Sequence, residues 1–285
     1  MLNIPHSLPA TPLQNQLLSE LPIEDWQAVR AGFEDVQLRA GATLYEAGLE
    51  VRHVYFPTSA VVSLTSTMQS GDTAEVAVVG REGMVGICAY MGHGRSISSA
   101  TVQGSGHAWK MPAAVIRQAA QQSAPLMQAL LSYTQALFAQ LAQTSACSRH
   151  HYLEQQLCRW LLLHLDHRPG APMAVTQERI SQLLGVRREG VTIAALKLQK
   201  AGLIRYGRGS VEVLDRRGLQ ARSCECYDVV RGVNDRLRQT AQAARHAHGL
   251  EAENTHADAA YLRCRVSEKD PGVALPERLQ PASSR

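Results

Sequence analysis

The sequence predicts an α+β chain: a small antiparallel β-roll, then one long helix, then a helix–turn–helix closed by a β-hairpin. Three observations predict it. From about 34 to 110, short runs of period two alternate with frequent glycines. From 124 to 148 the apolar period becomes helical and runs unbroken. From 176 to 214 two short helical patterns meet at Gly185-Val186 and give way to two strand-like runs. A length of 285 residues suits more than one domain.

In chain order, 12–31 carries Leu13, Leu17, Leu18, Leu21, Trp26 and Val29, which reads as two short helices broken at Pro22. Val54-Tyr55-Phe56, Val61-Val62-Ser63-Leu64-Thr65 and Glu75-Val76-Ala77-Val78-Val79 are strand-like, and glycines such as Gly41, Gly48, Gly71 and Gly80 punctuate them. Pro112 suits the first turn of a helix over 113–121. In the long helix, Leu126, Leu130, Tyr133, Leu137, Leu141 and Thr144 repeat at spacings of three and four. A rod of about 25 residues is about 37 Å long. The spacing therefore predicts a homodimer seam along those six residues.

Leu157, Trp160, Leu161 and Leu165 form the buried face of the next helix, Leu153–His167, which Arg168-Pro169-Gly170-Ala171-Pro172 ends. Beyond the hairpin, a helix over about 223–239 should pack Tyr227 and Val230. The expected domains are a β-roll with flanking helices at 1–122, the seam helix at 123–150, the helix–turn–helix with its hairpin at 151–238 and a disordered tail at 239–285.

Composition excludes several classes. With 45% hydrophobic and 19% charged residues the chain can bury a core, so global disorder is excluded. It has no apolar run of about 18 residues and no basic, apolar leader at its start, so a cytoplasmic protein with no membrane partner is expected. It contains no nucleophile elbow, phosphate-binding loop or H-E-x-x-H, so no catalytic residue is named. Of six cysteines only Cys224 and Cys226 are close neighbours, and they offer two ligands with no His beside them; no metal is expected. Charge is uneven: 7 basic against 10 acidic residues over 1–147, but 12 against 6 over 148–220. A basic block on a folded segment points to a polyanion.

The 176–214 segment carries the chemistry. Thr176 is placed to cap the first helix, and Gly185 permits the left-handed turn between helices. The second helix, over 187–201, buries Val191, Ala194, Ala195 and Leu198 and shows Arg188, Glu189, Thr192 and Lys200 on its other face. Such a helix fits the major groove of duplex DNA. Arg188 can donate to guanine O6 and N7, Glu189 can accept from cytosine N4, and Thr192 lies beside them. Thr176, Arg187, Lys200, Arg205 and Arg208 suit phosphates. The alternative is a ligand-binding signalling module whose winged domain docks protein.

The chain resembles the Crp/Fnr family of bacterial transcription regulators. The residues that carry the likeness are Tyr55-Phe56-Pro57, Gly80-Arg81-Glu82-Gly83-Met84-Val85-Gly86, the long helix and TQERISQLLGVRREGVTIAALKLQKAGLIRY with its hairpin. The resemblance implies a cyclic-nucleotide-binding-like roll, a dimerisation helix, a winged helix–turn–helix and a palindromic operator. It also implies double-stranded DNA, a second copy, RNA polymerase and an unknown small-molecule effector as partners. It places the base-reading positions at Arg188 and Glu189; a third, often Arg in the family, is Ile193 here. The implied effector pocket falls on Gly86, Ile87, Arg95, Ser98 and Ser99. Ile87 stands where cyclic-AMP binders have Glu, and the phosphate-binding Arg-Ser falls on Ser98-Ser99, so the sequence argues against cyclic nucleotide.

Overall fold

The computed structural model describes residues 14–92, 94–168, 170, 172–207 and 209–247. Leu17, Leu18 and Leu21 are buried, and among the described residues a 3-10 turn, Leu18–Glu20, leads into the first α-helix, α1 (Ile23–Val29). Leu21, before Pro22, is held extended at φ −71°, ψ 135°, which places the break where it was expected, but the segment before it is a 3-10 turn and not a helix. The buried Asn15 amide donates to the carbonyls of Pro57 and Gly83, both at 2.9 Å, and fastens this segment to the roll.

The roll consists of β1 (Glu34–Leu38), β2 (Thr43–Tyr45), β3 (His53–Pro57), β4 (Val61–Thr67), β5 (Thr73–Val79), β6 (Ser99–Gly104) and β7 (Gly106–Pro112). They form two antiparallel sheets, ordered β1-β7-β3 and β2-β6-β4-β5. Val54, Phe56, Val62, Leu64, Val79, Val102 and Met111 fill the space between them. β5 is an edge strand, and an unpaired edge leaves peptide groups exposed. The Gln140 amide covers it at one point, pairing with both peptide groups of Val78 at 3.1 and 3.2 Å.

Two helices follow, α2 (Ala113–Gln122) and α3 (Ala124–His150). Pro112 is the residue before α2, and the Ser123 hydroxyl caps α3 by accepting from the Leu126 N–H at 3.0 Å. The stripe expected to face a second copy instead faces the chain itself. Leu126, Leu130, Tyr133 and Leu137 are at most 4% exposed and belong to the roll's core; Leu141 packs against it. Thr144 accepts a hydrogen bond from Arg159. For Leu126, Leu130, Tyr133 and Leu137 the periodicity is that of a helix lying on its own domain, and these four leave the expected dimer seam; Leu141 and Thr144 are partly buried. The exposed stripe lies further round α3: Gln128, Leu131, Gln135, Phe138, Ala142 and Ser145, with Leu131 49% and Phe138 57% exposed.

The C-terminal part comprises α4 (Leu153–His167), β8 (Met173–Ala174), α5 (Gln177–Leu184), α6 (Arg188–Lys200), β9 (Ile204–Gly207), β10 (Ser210–Val213), α7 (Arg216–Arg222) and α8 (Cys226–Ala247). Its core holds Leu157, Leu161, Ile180, Leu183, Val191, Leu198, Val211 and Tyr227. β8 adds a third strand to the hairpin, in the order β8-β10-β9; two residues are too few to show a period in the sequence. The helix expected over 223–239 is α8, which buries Tyr227 and Val230 and continues to Ala247. It runs back along α3 to the Leu18–Glu20 turn, where Leu237 packs against the roll's core. The predicted disordered tail lies outside the described residues from 248 onward.

Roll and C-terminal part meet along α4. His167 Nδ1 lies 3.1 Å from Glu82 Oε2, and His164 Nε2 lies 3.5 Å from Glu75 Oε2, all four side chains buried. Burial pushes the Glu82 carboxyl up, but the facing His167 outweighs it and holds the group below its ordinary value. Burial pushes His167 down, and Glu82 reverses that into a net rise. Gly80 and Gly83 are demanded by close approach. A Cβ at Gly80 would sit 2.3 Å from the His167 ring, and one at Gly83 would sit 2.0 Å from the Tyr133 ring.

Candidate nucleic-acid interface

The helix–turn–helix follows from local chemistry. Thr176 Oγ1 accepts the Arg179 N–H at 3.1 Å and caps α5. Gly185 adopts φ +66°, and the Val186 N–H closes the turn onto the Ser181 carbonyl at 2.9 Å. Arg187 is then the cap residue of α6. Val191, Ala194, Ala195 and Leu198 turn inward, at most 5% exposed. The opposite face shows Arg188, Glu189, Ile193, Leu196, Lys197 and Lys200 to solvent.

The side chains of Arg187, Arg188, Glu189 and Lys200 take part in no hydrogen bond or ion pair among the described residues. Several arginines elsewhere in this part are engaged. Arg216 bonds Asp166 and Tyr227, Arg222 lies 3.1 Å from Glu154, and the buried Arg159 bonds Thr144. Arg187, Arg188 and Glu189 thus bring three unpaired charges to the start of α6, where a groove-bound helix would meet base edges.

The other expected contacts are placed less freely. Thr192 donates to the Gln177 side chain at 2.7 Å, so its hydroxyl is committed between α5 and α6. Arg205 lies across the hairpin from Glu212 at 3.0 Å, with both side chains exposed. Arg208 lies outside the described residues. Leu196, 58% exposed beside Ile193 at 57%, was missed. Its spacing of three from Ile193 was the signal that could have found it.

In the roll, Gly86 adopts φ +104° and opens a 3-10 turn, Ile87–Ala89. The exposed Arg95 guanidinium donates to the Gly48 carbonyl at 3.0 Å, and Ser99 Oγ accepts the Ala47 N–H at 3.0 Å. Ser98 is held through its backbone by Ser96. Tyr45 and Cys88 lie near Ser96, and burial raises the pKa of both. The Arg95 guanidinium is thus engaged with backbone, and Ile87 offers no hydrogen-bonding side chain.

Cys224 and Cys226 are not isolated. The fold brings Cys147 and His151, four residues apart at the end of α3, to within ligand distance of both. No spacing rule could reveal a set divided by more than seventy residues of chain.

A family model for the Crp-like helix-turn-helix domain matches 155–222, and one for the cyclic nucleotide-binding domain matches 35–123. No curated protein matches the chain. Among solved structures, one assigned to the Crp/Fnr family as a transcriptional regulator, from Eubacterium rectale, is similar with TM-score 0.59 at 16% identity; 74% of this chain and 97% of that one are covered. FixK2 from Bradyrhizobium japonicum is similar with TM-score 0.56 at 15% identity, covering 67% and 98%. A Crp/Fnr transcriptional regulator from Thermus thermophilus reaches TM-score 0.54 at 21% identity, covering 67% and 98%. These likenesses carry the fold, and the two matched domains carry the family. With a cyclic-nucleotide-binding-type domain followed by a Crp-like helix-turn-helix, the chain belongs to the Crp/Fnr family of DNA-binding transcription regulators.

Proposed function

We propose that the protein acts as a homodimer that reads an inverted-repeat operator with two copies of α6. The carrying observation is the unpaired Arg188 and Glu189 at the exposed first turn of that helix. Arg188 reads guanine, Glu189 reads cytosine, and Ile193 and Leu196 pack against thymine methyl groups. Arg187 and Lys200 hold phosphates, as do Thr176, Arg205 and Arg208 at the edges of the footprint.

The second copy docks along the exposed stripe of α3, through Leu131, Phe138 and Ala142. Solvent-facing leucine and phenylalanine at heptad spacing on a helix of 27 residues support this seam. We assign the roll an effector other than cyclic nucleotide. No helix among the described residues is long and apolar enough to cross a membrane; a cytoplasmic site, with access to DNA and to RNA polymerase, fits this function. No catalytic role is assigned to any residue.

Selection from random duplex DNA tests the reading. The expected product is a palindrome whose half-sites lie about one helical turn, or 10–10.5 base pairs, apart. A pool without a repeated half-site would contradict the dimeric reading.

A further inference from the structure

Three buried thiols and an imidazole converge where the long helix ends. Cys147 lies in the last turn of α3 and His151 is its C-cap, four residues on. Cys224 and Cys226 flank the break between α7 and α8. Their three Sγ atoms and one ring nitrogen all lie within 4.8 Å of one another. Cys147 Sγ is 3.5 Å from Cys224 Sγ, and Cys226 Sγ is 3.4 Å from His151 Nδ1. The cysteines are at most 3% exposed and form a cluster separate from both larger cores.

The spacing is that of ligands round a single ion. Zinc–sulfur bonds of about 2.3 Å and zinc–nitrogen bonds of about 2.0–2.1 Å in a tetrahedron set sulfurs about 3.8 Å apart and a sulfur and nitrogen about 3.6 Å apart. The Cys147–Cys224 and Cys226–His151 separations lie a few tenths of an ångström from those values, and the other pairs are within 4.8 Å. Thiolate and imidazole donors exclude calcium and magnesium, which take oxygen.

The surroundings orient each ligand. His151 Nε2 lies 3.2 Å from Glu225 Oε1, so the carboxylate holds the proton on that nitrogen and leaves Nδ1 as the donor. The Gln143 amide donates to Cys226 Sγ at 3.0 Å. The Gln156 amide reaches the carbonyls of His151 at 2.8 Å and Cys147 at 3.4 Å, which fixes the helix end carrying two of the ligands.

We propose that Cys147, His151, Cys224 and Cys226 bind one zinc ion in a closed tetrahedral site that pins the start of α8 to the end of α3. Four protein ligands leave no open position, so the site is structural rather than catalytic. Two ligands come from the end of the long helix and two from the segment behind the wing. The ion therefore fixes where α8 leaves the winged domain before running back to the roll. Loading the ion stabilises that connection, because the ligands assemble only in the folded chain.

The full-length chain, purified under reducing conditions and dialysed against metal-free buffer, is assayed for metal by elemental analysis. About one zinc per chain is expected. After removal of zinc, cobalt(II) should give the visible bands of a tetrahedral ion and a near-ultraviolet thiolate charge-transfer band. Cys226→Ser should abolish this spectrum. If that variant does not fold, Glu225→Gln, whose altered side chain is mostly exposed, keeps the stoichiometry but weakens zinc by about 10–100-fold in chelator competition. A folded, reduced chain that gives no tetrahedral cobalt spectrum overturns the proposal. So does a Cys147–Cys224 disulfide in the native protein, or unchanged metal affinity in both variants.

Discussion

At the scale of single residues, the Glu82–His167 pair is the most exacting junction in the chain. It lies in a cleft that also holds Arg81 and Asp166, with Arg231 and Arg238 facing it from α8. The His167 pKa is raised above its ordinary 6.5, so its contribution to stability is complete below that value and is lost as pH rises through the raised one. The Glu82 pKa is lowered from 4.5, so its contribution is present above 4.5 and is lost as pH falls through the lowered value. The pair is therefore strongest between 4.5 and 6.5. His167→Gln should lower stability near pH 6 by about 3–5 kcal/mol, because it removes the one charged partner in contact with the buried Glu82 carboxylate among the described residues. The deficit should narrow at alkaline pH, where the wild-type ring is already neutral. Urea denaturation at several pH values measures both; a deficit independent of pH would refute the ion pair. Gly80→Ala should disturb the same contact by pressing a methyl group into the His167 ring.

At the scale of elements, the two faces of α3 have different tasks and different expected responses. Leu130→Ala removes a fully buried side chain from the roll's core and should cost about 2–5 kcal/mol of folding stability. Phe138→Glu places a charge on the exposed stripe and should leave folding within about 0.5 kcal/mol while dissociating the dimer, as sedimentation would record. Dissociation by neither change would remove α3 from the interface. This contrast also shows what the sequence could and could not reveal. Helix spans were legible because their stop signals are local: Pro172 follows α4, Thr176 caps α5 and Gly185 ends it. Which stripe of α3 faces inward was not legible, because burial against the roll and burial against a second copy produce the same spacing. β8 was too short to show a period. The full course of α8 depends on contacts with α3 and with a turn some two hundred residues earlier. On α6, the solvent exposure of Arg188 and Glu189 was legible from their place in the helix; the engagement of Thr192 by Gln177 needed three dimensions.

At the scale of the whole molecule, the roll, α3 and the winged domain form one continuous path. The Gly80–Gly83 loop lies between Tyr133 of α3 and His167 of α4, so the roll touches both helices through one loop. Binding to DNA draws on charge clustered after residue 148, so affinity for the selected operator should fall linearly in logarithmic plots against salt. Arg188→Ala and Lys200→Ala should separate the two kinds of contact. The first should cost about 1–3 kcal/mol at one base pair of each half-site; the second should weaken all sequences alike and reduce the salt slope by about one.

In the proposed complex, Arg188 of two joined chains reads symmetry-related bases. The decisive experiment measures the affinity of wild type and Arg188→Ala for every single-base variant of the selected operator. Loss of preference at one position in each half-site, with the others retained, is the predicted result. An unchanged ranking of all variants, or a loss confined to one half-site, would contradict it.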